Sequence, residues 1–185
     1  GKIIVIGCAN AGKSQLINRF INNRFEAVPK STIGVSMYSK SINIDDMEIN
    51  CTIWDTAGEE KTNSLATIYY KNAQCAVVVF DLCDQQSFDQ LQFWASQVKK
   101  ITQCPVVLCG NKVDLGNSLV DQSEIEKIVD QLDCRYIQTS ALSGQNVEEL
   151  FTEAAKAALN NLKSDSVVKI KMSEELEKND KKNCC

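Results

Sequence analysis

The chain of 185 residues contains no histidine. That absence excludes a histidine-based catalytic triad and any zinc site with imidazole ligands. Cysteine is plentiful, at nine residues, yet no Cys-x-x-Cys pair occurs. Neither a thiolate zinc site nor a dithiol redox centre is therefore spelled out. Cys8, Cys51, Cys75, Cys83, Cys104, Cys109 and Cys134 stand singly, mostly within apolar runs. They read as reduced core thiols of a cytosolic protein. No stretch approaches the roughly 18 apolar residues that a membrane span needs. Positive charge is not in excess either: the net charge is −4, which argues against nucleic acid as a partner. No internal repeat is visible. The chain opens on Gly1 rather than on methionine, so what precedes it is left open.

What is present suits one domain with a real core, since 44% of residues are hydrophobic. Short β-branched runs alternate with longer helical patterns. Strands are expected at residues 2–6, 38–44, 48–54, 75–80, 106–109 and 135–138. Asp45-Asp46 is the expected hairpin turn between the second and third. Helices are expected at residues 14–22, 87–101, 123–132 and 146–162. This order predicts an α/β fold: an open, doubly wound, six-stranded, mostly parallel sheet flanked by helices. The domain is expected over residues 1–163. Residues 164–185 carry five Lys and five acids with little apolar surface, which predicts a flexible tail.

Gly7-Cys8-Ala9-Asn10-Ala11-Gly12-Lys13-Ser14 fits the phosphate-loop pattern G-x-x-x-x-G-K-[ST]. Backbone amides must turn inward around phosphates there, so glycines are needed where bulk would intrude. Lys13 would place a point charge between β- and γ-phosphates, and the Ser14 hydroxyl would bind Mg²⁺. Asn10 is expected in a left-handed backbone conformation, which asparagine tolerates. Ala9 would bring a methyl group close to the γ-phosphate. The alternative is an ordinary glycine-bearing strand-to-helix turn.

A phosphate loop does not choose a base. Asn111-Lys112-Val113-Asp114 does, because it follows a buried strand and so lies at the carboxyl end of the sheet. Asp114 can accept from both N1–H and the 2-amino group of guanine; adenine offers neither, and an unpaired buried carboxylate penalises it. Asn111 would tie this loop to the phosphate loop, and the Lys112 stem would cover the base.

With these stretches the chain resembles a Rab-family small GTPase of the Ras superfamily. Further matching runs are Ser31-Thr32-Ile33-Gly34-Val35, Trp54-Asp55-Thr56-Ala57-Gly58, Thr139-Ser140-Ala141, Tyr69-Tyr70, Ser87-Phe88 with Trp94, and terminal Cys184-Cys185. The resemblance covers residues 2–163 and the tail end. It implies that Thr32 binds Mg²⁺ and the γ-phosphate, that Asp55 holds Mg²⁺ through water, and that the Gly58 amide touches the γ-phosphate. It also implies that Phe25 packs on the guanine and that the Ser140, Ala141 and Leu142 turn borders it. The competing reading of Phe25 is a loop aromatic packed on the core. Loops around Thr32 and Gly58 would relax once hydrolysis removes the γ-phosphate. Met37, Trp54 and Tyr70 match the apolar trio that faces effectors, with Met37 where Phe is usual. Implied partners are guanine nucleotide, effectors, an exchange factor, a GAP, Rab escort protein with its prenyltransferase, GDI and a membrane. The chain is expected to be a monomer.

Several positions depart from that pattern. Glu59 stands where the family has the glutamine that orients the attacking water, in Gly58-Glu59-Glu60. Glu59 cannot donate a hydrogen bond and adds negative charge, which predicts slow intrinsic hydrolysis; as a base it would instead polarise water. Ser36, Thr62 and Leu142 are further departures, and Leu142 removes a cationic cover from the base. Cys184-Cys185 resembles a double geranylgeranylation site, where two chains anchor stably and one is marginal. Localisation is then expected on the cytoplasmic face of an endomembrane, cycling with cytosol. Two functions stay open: a cycling GTPase in vesicle trafficking, and a GTP-locked module that only binds effectors. An ATP-using enzyme is disfavoured by Asp114.

Overall fold

The computed structural model describes residues 1–27, 32, 34–56 and 66–182. In chain order the elements are β1 (Lys2–Gly7), α1 (Lys13–Asn22), β2 (Val35–Ile44), β3 (Met47–Thr56), α2 (Ala66–Tyr70) and β4 (Cys75–Asp81). There follow α3 (Gln85–Asp89), α4 (Leu91–Ile101), β5 (Val106–Asn111), α5 (Gln122–Leu132), β6 (Arg135–Gln138) and α6 (Val147–Lys182). Six strands form one sheet in the order β2-β3-β1-β4-β5-β6. Among the described residues only the β2–β3 pair is antiparallel; β1, β3, β4, β5 and β6 run parallel. The expected α/β architecture is the one observed.

The continuous apolar runs of the parallel strands have a simple cause: both faces of the sheet are covered. Alternate residues feed two separate layers. Ile3, Val5, Val77, Val79 and Val107 join Leu16 and Ile17 of α1 and Phe151 and Ala154 of α6. Ile4, Ile6, Val78, Phe80 and Leu108 join Leu91, Trp94 and Val98 of α4 and Ile125 of α5. Cys51, Cys75 and Cys109 belong to the first layer and Cys8 and Cys104 to the second, all as free thiols. Cys83 and Cys134 are half-buried. The β2–β3 hairpin closes through Asp45 (φ 47°) and Asp46 (φ 64°), the doubly left-handed geometry that matches strand twist in a two-residue turn.

Two helices differ from the sequence reading. The pattern predicts one helix over 87–101, but the chain breaks at Gln90 into α3 and α4. Asp84 caps α3 on the Gln86 amide, and the Ser87 hydroxyl accepts from the Asp81 amide at 3.1 Å. These bonds draw α3 toward the end of β4. The closing helix, expected over 146–162, is the second difference: α6 runs as helical backbone from Val147 to Lys182. Among residues whose burial is described, the last buried one of its stripe is Ala158. Beyond it no Gly or Pro interrupts the run to Lys182, which favours helix by intrinsic propensity. The short α2 has no counterpart in the sequence reading.

Candidate functional site

The carboxyl ends of the parallel strands converge on one side of the sheet. Chain direction changes around β1, with β3 on one flank and β4 on the other. A loop leaving β1 at such a switch point overlies a crevice. Gly7 ends the strand at φ 136°, and a Cβ there would lie 2.1 Å from the Val79 carbonyl oxygen. No side chain fits between β1 and β4 at that point. Asn10 has φ 63°, the left-handed conformation expected of it. Gly12, at φ 96°, occupies the N-cap of α1 and offers no side-chain cap. The first amides of α1 are therefore left for an acceptor, and the helix dipole favours an anion there. Lys13 is buried and curls over the loop, with Nζ donating to the Gly7 and Cys8 carbonyls at 2.9 and 2.8 Å. The result is a cradle of amides with one fixed cation in its wall.

Beside this cradle three oxygens gather. The Ser14 and Thr32 hydroxyls are 2.8 Å apart. Asp55, at the end of β3, is buried, and its Oδ1 has no hydrogen-bond partner. Burial pushes the Asp55 carboxyl above the usual carboxylate range, while a Ser14 hydrogen bond and the Lys13 charge pull it back. An orphaned buried carboxylate oxygen next to two hydroxyls is a hard-cation donor set. Among the described residues no cluster of three Cys, Asp or Glu residues competes for a metal.

The base-side loops are locked to the cradle by Asn111. Its Nδ2 donates to the Ala11 carbonyl at 2.8 Å. Its Oδ1 accepts from Thr139 Oγ1 at 3.1 Å and from the Ala141 amide at 3.2 Å. Lys112 is left-handed (φ 68°), which turns Asp114 outward into the one-turn 3₁₀ segment Val113–Leu115. Lys112 Nζ pairs with Asp81 Oδ2 at 2.6 Å, the stem lying across the loop. Asp114 and Leu142 are exposed, whereas Ser140 and Ala141 are buried. Phe25 is 38% exposed, so it is not the core-packed aromatic of the competing reading. Its segment is held by Gln15, whose Oε1 accepts from the Glu26 amide at 3.0 Å.

The expected surface trio is only partly assembled. Met37 and Trp54 are register partners across β2 and β3, with Met37 65% exposed. Tyr70 is buried, at 1% exposure. Helix α2 turns Tyr70 down into the layer that contains Trp94. Tyr69 instead stands by Trp54, with ring centroids 6.4 Å apart, and Ile68 is exposed beside it. The α2 tyrosine next to Trp54 is thus Tyr69, not Tyr70. Gly58, Glu59, Cys184 and Cys185 lie outside the described residues.

Sequence reasoning missed Arg19. It reaches from the last turn of α1 to the Ala141 carbonyl at 2.9 Å and the Leu142 carbonyl at 2.5 Å. A cation in a final helical turn ordinarily complements the dipole, so nothing in the sequence marks it for a longer reach.

The model of the Ras family matches residues 2–160. The chain is 39% identical to Ras-related protein Rab-2B of Dictyostelium discoideum, over 89% of this chain and 83% of that protein. It is 38% identical to putative Ras-related protein Rab-5B of the same organism, over 88% and 77%. It is 36% identical to Ras-related protein Rab-4B of Rattus norvegicus, over 88% and 78%.

Proposed function

The chain belongs to the Ras family, in its Rab branch of GTP-binding small GTPases, and on that premise we propose that it is a Mg²⁺-dependent GTP/GDP switch of vesicle trafficking. One observation carries the reading. Asn111 bonds the phosphate loop through Ala11 and the base loop through Ala141 at the same time. Phosphate and guanine subsites thereby become one pocket, and a ligand must satisfy both to close it.

In that pocket the α1 amides and Lys13 neutralise the β- and γ-phosphates. On binding, Lys13 exchanges its two carbonyl acceptors for phosphate oxygens, so the cation is already in position. Asp114 reads the guanine edge, the 140–142 turn borders it, and Phe25 and the Lys112 stem cover its faces. Ser14, Thr32 and Asp55 would hold Mg²⁺, which when bound offsets phosphate charge. Thr32 is already within hydrogen-bond distance of Ser14; losing the γ-phosphate removes its phosphate contact, so its loop relaxes. Met37, Trp54, Tyr69 and Ile68 form the apolar face that effectors read. Prenylation of Cys184 and Cys185, with escort protein and GDI as handling partners, places the switch on the cytoplasmic face of an endomembrane. Among the described residues no helix is long and apolar enough to cross a membrane.

A second reading is favoured by Glu59: a GTP-locked module that recruits effectors without turnover. Chromatography of the nucleotide released from the purified chain tests both. Mainly GDP supports the cycling switch, and mainly GTP supports the locked module. Adenine nucleotide, or none, overturns the guanine-switch reading.

A further inference from the structure

We propose that Arg19 is a positioning residue for guanine recognition, stapling together the two loops that flank the base; the inference rests on the guanine-nucleotide reading above. Its guanidinium uses all three nitrogens. Nε donates to the Ala141 carbonyl at 2.9 Å, and Nη2 donates to the Leu142 carbonyl at 2.5 Å. Nη1 donates to the Asn23 carbonyl at 3.1 Å and to Asn23 Oδ1 at 3.2 Å. Ala141 and Leu142 belong to the turn that, on the guanine-nucleotide reading, borders the base. Asn23 ends α1 in a left-handed conformation and its amide returns to the Arg19 carbonyl at 3.0 Å. From Asn23 the chain runs directly into the segment that carries Phe25.

One planar fork therefore fixes the distance between the wall that bears Phe25 and the wall that reads the base edge. The fork is anchored on α1, whose other end is the phosphate cradle. Its stem runs beside Gly144, whose φ is 88°; a Cβ built there would make only ordinary contact with Arg19 Cδ, at 3.6 Å. Five guanidinium donors in a rigid plane suit four acceptors at three directions; a lysine ammonium on a flexible stem does not. The bonds go to main-chain carbonyls and one amide side chain, so no carboxylate is neutralised and charge alone does not explain the arrangement. Its consequence is selective. Guanine binding depends on the 141–142 turn holding its place, whereas an adenine nucleotide binds by its phosphates and makes no bond to that turn.

The test compares affinities of the full chain, Arg19→Met and Arg19→Lys for mant-GDP and mant-ADP in the presence of Mg²⁺. The preference for mant-GDP over mant-ADP should fall on the order of tenfold in Arg19→Met, the scale of one lost charged hydrogen bond. The fall should come from mant-GDP alone. Arg19→Lys keeps the charge and should still lose part of the preference; it decides the matter by itself if Arg19→Met does not fold. An unchanged preference in both variants overturns the staple, and so does an equal weakening of both nucleotides, which marks a general loss of structure. A parental chain without preference for mant-GDP refutes the guanine reading, and the staple falls with it.

Discussion

Gly12 and Asn111 approach so closely that a Cβ built on the glycine would lie 2.2 Å from Asn111 Nδ2. Asn111 cannot swing aside cheaply, because its carboxamide is engaged with Ala11, Thr139 and Ala141. Gly12 also sits at φ 96°, where a side chain is strained. Gly12→Ala should therefore break the Asn111 link between the two subsites. The expected loss is about fivefold or more in mant-GDP affinity, since a buried amide left unsatisfied costs about 1–3 kcal/mol. Isothermal titration checks it; unchanged affinity means the phosphate and base loops are not held together through Asn111.

Asp55 sets a trade between stability and metal binding. Its carboxyl is raised by burial, so the ionised form is the costly one in the folded, metal-free chain. That cost is absent below the ordinary carboxylate range and grows as pH rises through the raised value. With Mg²⁺ chelated, stability should fall as pH rises out of the acid range. Asp55→Asn should flatten that fall and raise neutral-pH stability by about 1 kcal/mol, the low end for relieving an unsatisfied buried charge. The same variant should release nucleotide at one rate with and without EDTA. Thermal unfolding across pH, with the chelator present, reads the first effect, and fluorescence release of mant-GDP reads the second. A chelator effect that persists in Asp55→Asn removes Asp55 from the metal site.

The sheet was legible because burial on both faces writes continuous apolar runs, as in Ile3 to Ile6 and Cys75 to Phe80. The phosphate loop was legible because its backbone geometry demands particular residue types: glycine at 7 and 12, and a residue at 10 that tolerates a left-handed turn. Two things were not. Tyr69 and Tyr70 are adjacent, and which of them turns inward depends on the orientation of a five-residue helix, which no periodicity of that length can specify. Arg19 is separated from Ala141 by more than a hundred residues. Its role follows from where α1 ends relative to the loop after β6, and a lone charge carries no trace of that placement. The end of α6 shows the converse case. Amphipathic pattern ends the expected helix at 162, while the helical backbone runs on to Lys182 through residues with no Gly or Pro to break it.

Cys184 and Cys185, outside the described residues, end a segment whose five Lys and five acids cancel. Without net basic charge, attraction to anionic lipid adds little. On the proposed double prenylation, attachment rests on the lipid chains, and two anchor where one gives only marginal binding. Removing both cysteines should move the protein wholly into the soluble fraction of cells. Replacing one with serine should leave it partly bound. Membrane fractionation reads the outcome, and a protein that stays membrane-bound without both cysteines is anchored by another means.

Glu59, outside the described residues, stands where the family pattern has glutamine. At this place a glutamine would both accept from the attacking water and donate toward the transferring phosphoryl group. Glu59 keeps the side-chain length and the acceptor but has no donor, and it adds a negative charge to a site that already holds a charged phosphoryl group. On the slow-hydrolysis reading the missing donor and the added charge outweigh the gain from a stronger base. Single-turnover hydrolysis by the parental chain should therefore be slow, and Glu59→Gln should speed it, by roughly tenfold if one hydrogen bond in the transition state is restored. The affinity for GTP should change less than the rate, because the donor is used only as charge develops. Should the parental chain and Glu59→Gln hydrolyse bound GTP at equal rates, residue 59 plays no part in turnover, and slow hydrolysis would have to be traced to the Ala9 methyl in the phosphate loop.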